Sequence, residues 1–206
     1  MAALRTSLAT TRLRRGEVLF HEGDTGDKLY VVLEGKVKLG RTSSDGRENL
    51  LAIMGPGQMF GELSLFDPGP RSATVTAVTD ADFASLSHDD LLRWLEGRPV
   101  VARGLLTQLA GRLRKANDVV ADLVFSDVPG RVAKALLDLA DRFGRTADDG
   151  VHVHHDLTQE ELAQLVGASR ETVNKALADF ASRGWLRLEP RSVVILDVER
   201  MGRRAR

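Results

Sequence analysis

The segment FGELSLFDPGPRSAT, Phe60 to Thr74, places one carboxylate, Glu62, directly after a glycine, and one guanidinium, Arg71, directly after a Gly-Pro pair. Everything between them is apolar or turn-forming except Ser64 and Asp67. A lone acid and a lone base across such a crossover can close on each other as an ion-pair staple. Held apart, the same two groups present a hydrogen-bond acceptor and a cation to something else.

A second set of chemically competent residues lies near the other end. Arg170, Glu171, Asn174 and Lys175 fall in the two turns after Ser169 and are expected to be exposed. An arginine can grip guanine O6 and N7 together, and a glutamate can accept from cytosine N4. Lys175 can read guanine or hold a phosphate. A plainer reading also exists: Glu171 and Lys175 form an i,i+4 pair, and an acid in a first helical turn suits the helix dipole. A third group, His152, His154 and His155 in HVHH, has no cysteine or spaced carboxylate set to complete a metal site. It is expected to be a polar strand edge, and His21 and His88 are isolated.

Composition removes several classes of function. The chain has no cysteine, which excludes disulfides, cysteine-ligated zinc, iron–sulfur clusters and a cysteine nucleophile. Hydrophobic residues make up 43% and charged residues 28%, enough for packed cores in one or two small domains. No apolar run approaches the roughly 18 residues of a membrane span, and the first residues lack a signal-peptide core. A cytoplasmic protein without a membrane partner is expected. The 29 basic and 29 acidic residues cancel, so bulk charge gives no argument for nucleic acid. No catalytic set is assigned.

The elements that must position these groups follow from pattern. From Arg12 to about Leu86, the runs VLF, LYVVL, KVKLG, NLLAIM and SATVTAV are strand-like and broken by Gly, Pro and Asp-Gly turns. That texture predicts an antiparallel sandwich or roll. From Pro99 the spacing becomes helical. Ala102, Leu106, Leu109, Leu113, Ala116, Val120 and Leu123 recur at alternating steps of four and three. Such a seam belongs to a helix lying on its own sheet or pairing with its twin in a homodimer. Asp127 and Pro129 then open another helix, ended by Gly144, and RTADDG (145–150) reads as a loop. Phe125, Ser126 and Asp127 are a candidate hinge between the two helices.

Further on, Thr158 and Glu161 make a capping box, Gly167 supplies a tight turn, and Ser169 caps a second short helix. Two short helices joined by a glycine turn are a helix-turn-helix. Trp185–Leu188 and Val193–Leu196 read as the strands of a wing. The tail ERMGRRAR adds four arginines, either solvated or placed on phosphates.

These residues, in this order, resemble the CRP/FNR-type transcription regulators, the group of the catabolite activator (cyclic AMP receptor) protein. GASRETVNKAL (167–177) looks like the family's recognition helix, and FGELSLFDPGPRSAT like its cyclic-nucleotide phosphate cassette. VKLGRTSSDGRENLLAIMGPG and DVPGRVAKALLDLADRFG resemble the actinobacterial cyclic-AMP receptors. The resemblance implies an α+β chain: a cyclic-nucleotide-binding antiparallel β-roll of jelly-roll type (1–98), a long dimerisation helix (99–125) and a winged helix-turn-helix (126–206). It implies that Gly61, Glu62, Leu63 and Ser64 line the sugar and phosphate of cyclic AMP, an allosteric ligand. Glu62 would accept from the ribose 2′-hydroxyl, Arg71 would neutralise the phosphate and Ser72 would donate to it. Ala116 and Asn117 occupy the positions that face adenine.

Thr158, Gln159, Ser169, Arg170, Glu171, Thr172, Asn174 and Lys175 become the DNA-contacting set. The implied partners are double-stranded DNA carrying a TGTGA-N6-TCACA-like palindrome, a second copy of the chain and RNA polymerase. Two departures stand out. The family usually has a helical segment before the roll, where only about ten residues precede the first strand here. Its cyclic-AMP receptors usually carry a hydroxyl where this chain has Ala116. A regulator acting without ligand, or with another nucleotide, is therefore the alternative. A cupin-type metal enzyme is remote, because the roll segment holds only His21 and His88.

Overall fold

The computed structural model describes residues 9–67 and 69–205. The chain divides into two compact units, Met1–Lys115 and Ala116–Arg206, and the longest helix runs across the division.

The first unit begins with β1 (Ala9–Leu13), β2 (Val18–Phe20), β3 (Lys28–Glu34), β4 (Val37–Thr42), β5 (Glu48–Met54) and β6 (Met59–Phe60). A single helical turn, α1 (Leu63–Phe66), follows, then β7 (Thr74–Ala77), β8 (Ala81–Ser87) and α2 (His88–Leu95). The strands form two antiparallel sheets, β1-β8-β3-β6 and β2-β7-β4-β5. Alternation along the strands turns Val32, Val37, Met54, Phe60, Val75 and Phe83 into one core. Tyr30, Phe60 and Phe83 fill it with stacked and edge-on aromatic contacts. Leu29, Met59, Leu65, Leu86 and Leu91 form a second cluster, with Trp94, Leu105 and Leu109 packed on it.

Helix α3 (Pro99–Phe125) therefore lies on its own roll through Leu105 and Leu109. Other seam residues do not: Leu106, Leu113 and Val120 are each more than 60% exposed. The seam splits by helix face: Leu109 serves the roll, while Leu106, Leu113 and Val120, seven residues apart, stay exposed.

The second unit continues with α4 (Val128–Phe143), β9 (Gly144–Ala147), β10 (Gly150–Val153), α5 (Gln159–Val166), α6 (Arg170–Ser182), β11 (Leu186–Glu189), β12 (Ser192–Ile195) and α7 (Val198–Arg204). Its sheet has the order β11-β12-β10-β9. Leu136, Leu139, Leu162, Val173, Phe180 and Val194 are buried in this unit, and α4 packs against α5, α6 and α7. Phe180 stacks on Trp185 at 5.6 Å.

Two expectations need correction, and a third segment gains a structure that was not assigned to it. RTADDG is not a loop throughout, because Gly144–Ala147 pairs with β10 as an edge strand. The HVHH stretch is not a strand edge: β10 lies inside the sheet, and His155 is buried, its Nδ1 accepting the Leu157 N–H at 3.1 Å. The basic tail is helix α7, anchored by the fully buried Met201.

Candidate functional site

Arg71 sits where two loops meet. Its N–H donates to the carbonyl of Asp24 at 2.8 Å, and its own carbonyl accepts from Gly23 at 2.8 Å. Thr25 and Pro70 bridge beside it, so the turn at 22–27 zips onto the residue that follows Gly69 and Pro70. The side chain then runs inward. Nη1 donates to the Gly61 carbonyl and Nη2 to the Lys28 carbonyl, each at 2.9 Å. The guanidinium lies 4.3 Å over the Phe20 ring. It is 4% exposed, its Nε is buried without a partner, and it forms no ion pair among the described residues. Burial pulls its pKa below the usual guanidinium value, with Tyr30, Asp27, Asp24 and Glu62 opposing at longer range. Two glycines make room for it. A Cβ on Gly26 would collide with Nε and Cζ, and one on Gly61 would lie 2.7 Å from Nη1. Gly61 also adopts a φ of +78°, which side chains rarely tolerate.

Glu62 does not staple to Arg71. It is 3% exposed, and its carboxylate accepts from Arg112 of α3 instead. Cassette acid and long helix are thus tied within the first unit. Ser64 is buried next to Glu62, whereas Leu63 and Ser72 are exposed. Ala116 and Asn117 are exposed positions of α3 that fall in the second unit. Arg112 was not foreseen. Its signal in the sequence is faint: a cation one helical turn before Ala116, beside an apolar seam.

In the second unit the local chemistry positions the other set. Thr158 and Glu161 complete the capping box, with the Thr158 side chain accepting the Glu161 N–H at 3.1 Å. Gly167 takes the left-handed conformation, φ 68°, that turns α5 into α6. Ser169 caps α6 by accepting from Thr172 N at 3.2 Å, and its hydroxyl also bonds that of Thr172 at 2.9 Å. Thr158, Gln159, Arg170, Glu171, Thr172 and Lys175 are exposed together on this helix pair. Glu171 and Lys175 are paired at 2.8 Å, as the plainer reading has it. Asn174 departs from expectation: it is half-buried, with Oδ1 buried and unpartnered.

The junction residues are also accounted for. Phe125 ends α3 and is 86% exposed, and Ser126 and Asp127 separate it from α4. Asp127 caps α4 through the Gly130 N–H at 2.9 Å. Arg131 donates to the Ser126 carbonyl at 2.8 Å and to the Val166 carbonyl at 3.1 Å, tying the junction to the end of α5.

A cyclic nucleotide-binding domain matches residues 10–98, and a Crp-like helix-turn-helix domain matches residues 130–204. A CRP-like cAMP-activated global transcriptional regulator of Mycobacterium tuberculosis is 58% identical over all of this chain and 92% of its own length. The chain belongs to the CRP/FNR family of transcription regulators. A cyclic AMP receptor protein of Thermus thermophilus is 41% identical over 88% of this chain and 81% of its own. The solved structure of FixK2 from Bradyrhizobium japonicum superposes with a TM-score of 0.84 at 25% identity, covering 95% and 96% of the two chains. In this CRP/FNR protein the α+β order is roll, long helix, winged helix-turn-helix. No described helix is long and apolar enough to cross a membrane.

The cassette fits an anionic ligand. A buried guanidinium with no direct ion pair among the described residues carries a desolvation cost that two carbonyls and more distant acids meet only in part, and an anion at its unpartnered Nε would offset the rest.

Proposed function

We propose that this CRP/FNR regulator is a homodimer switched by cyclic AMP, reading a TGTGA-N6-TCACA-like palindrome and engaging RNA polymerase. The observation that carries the ligand reading is Arg71, buried, stacked on Phe20 and without an ion-pair partner among the described residues. The names of the Mycobacterium and Thermus relatives, both cyclic-AMP proteins, support the choice of nucleotide. Arg71 neutralises the cyclic phosphate through charge-assisted contacts, and Ser64 and Ser72 supply further donors. Glu62 accepts from the ribose hydroxyl while Arg112 holds its carboxylate in place. Asn117 contacts the base.

The dimer reading rests on Leu106, Leu113 and Val120, an apolar stripe with a spacing of seven. In a twofold dimer the two α6 helices face successive major grooves. There Arg170, Glu171 and Lys175 read bases, and Thr158, Gln159, Ser169 and Thr172 hold the backbone. Asn174 completes the set once it leaves its half-buried position. Binding of the nucleotide biases the junction at Phe125–Asp127 and brings the reading helices into register.

Calorimetric titration with cyclic AMP and cyclic GMP tests this. Micromolar cyclic-AMP binding is expected, with cyclic GMP weaker. Arg71→Ala should weaken it by about 10- to 100-fold, the worth of hydrogen bonds to a charged group. Ala116 favours one second reading, a regulator that shifts the palindrome without ligand or with another nucleotide. Absence of cyclic-AMP binding together with tight palindrome binding would establish that reading instead.

A further inference from the structure

The junction between α3 and α4 is held from the far end of the chain. Asp127 uses both carboxylate oxygens. Oδ1 accepts the Gly130 N–H at 2.9 Å, and Oδ2 accepts from Arg204 Nη2 at 2.5 Å. Arg204 is the last residue of α7, 77 positions away. The approach is close. A Cβ on Gly130 would stand 3.3 Å from the Arg204 carbonyl oxygen and 3.3 Å from its Nη1. Met201, fully buried, fixes the middle of α7, and Asp197 caps its start by accepting from Arg200 N at 2.8 Å. The hydrogen bond from Arg204 is the largest of the influences that hold the Asp127 carboxyl below its usual range. On the other side of the same junction, Arg131 holds the Ser126 carbonyl, and Lys134 pairs with Asp122 at 2.6 Å. Two neighbouring residues between the helices are thus pinned by arginines from different elements.

We infer that α7 is a clasp on the α3–α4 junction, with Arg204 as the positioning residue that keeps Asp127 in its capping geometry. The clasp rests on the proposed switch for its purpose: a stiff junction transmits, and a loosened one dissipates, the bias that a nucleotide imposes. Arg204 touches neither nucleotide nor DNA in this scheme. Its loss changes the coupling between them and leaves each intrinsic affinity largely in place.

The test is a cycle of Arg204→Gln, Asp127→Ser and the double variant in the full chain. Serine keeps the cap but removes the ion pair. The readout is the ratio of palindrome affinity with and without cyclic AMP. Each single variant should lower that ratio by about threefold or more, and the double variant should lower it no further. Additive effects, or an unchanged ratio despite a lower melting temperature, would overturn the clasp. Hydrogen exchange supplies a second reading that does not depend on the ligand. The Gly130 and Arg131 amides should exchange faster in Arg204→Gln than in the wild type. If the wild type shows no cyclic-AMP effect on DNA, the proposed switch fails, and the exchange result alone decides whether the clasp exists.

Discussion

Asp149 shows how far a single surface contact set can move a carboxylate. Arg187 donates to it at 2.8 Å and His152 meets it at 2.6 Å, and together they hold its pKa at about 2, below the ordinary 3.8. A depressed acid contributes stability above its unfolded pKa and loses it as pH falls through the folded one. The contribution of Asp149 is therefore complete above about pH 4 and disappears toward pH 2. A carbon-detected NMR titration should find its midpoint near 2, and Arg187→Ala should raise it toward 3.8. At this same scale the candidate cassette was half legible. Gly61, Glu62 and Arg71 stand out as types in a short segment. Phe20 under the guanidinium and Arg112 on Glu62 do not, because ring stacking and a pairing 50 residues apart leave no local pattern.

Elements with local instructions were the readable ones. Asp127, Thr158 and Ser169 announce three helix starts, since a cap bonds only to a residue three positions on. Hairpin β9–β10 was missed because a four-residue edge strand is specified by its neighbour in the sheet and not by its own alternation. Helix α7 was missed because its apolar anchor is one methionine among arginines. The turn between α5 and α6 offers a check on the local account. Gly167→Ala forces a side chain into a left-handed conformation at a cost of about 1 kcal/mol, read as a lower urea midpoint. Gly167→Asn adopts that conformation more readily and should cost less. Both place a Cβ 3.3 Å from Leu123, so the difference between them isolates the backbone effect.

For the molecule as a whole, the exposed apolar stripe of α3 motivates the dimer. Leu113→Glu puts a charge in the centre of that stripe. Burying it would cost about 3 kcal/mol, so the dimer dissociation constant should rise by about 100-fold. Sedimentation equilibrium should then show the 22.5 kDa chain at concentrations where the wild type has twice that mass. An unchanged wild-type mass of 22.5 kDa would remove the dimer from the proposal. A further consequence comes from where the two tryptophans lie. Trp94 rests on the second cluster of the roll, and Trp185 stacks on Phe180 of α6. The protein thus carries one tryptophan in each unit. With Trp94→Phe or Trp185→Phe, the emission of the remaining indole reports one unit alone, so the proposed switch can be timed from the roll to the helix-turn-helix without any attached dye.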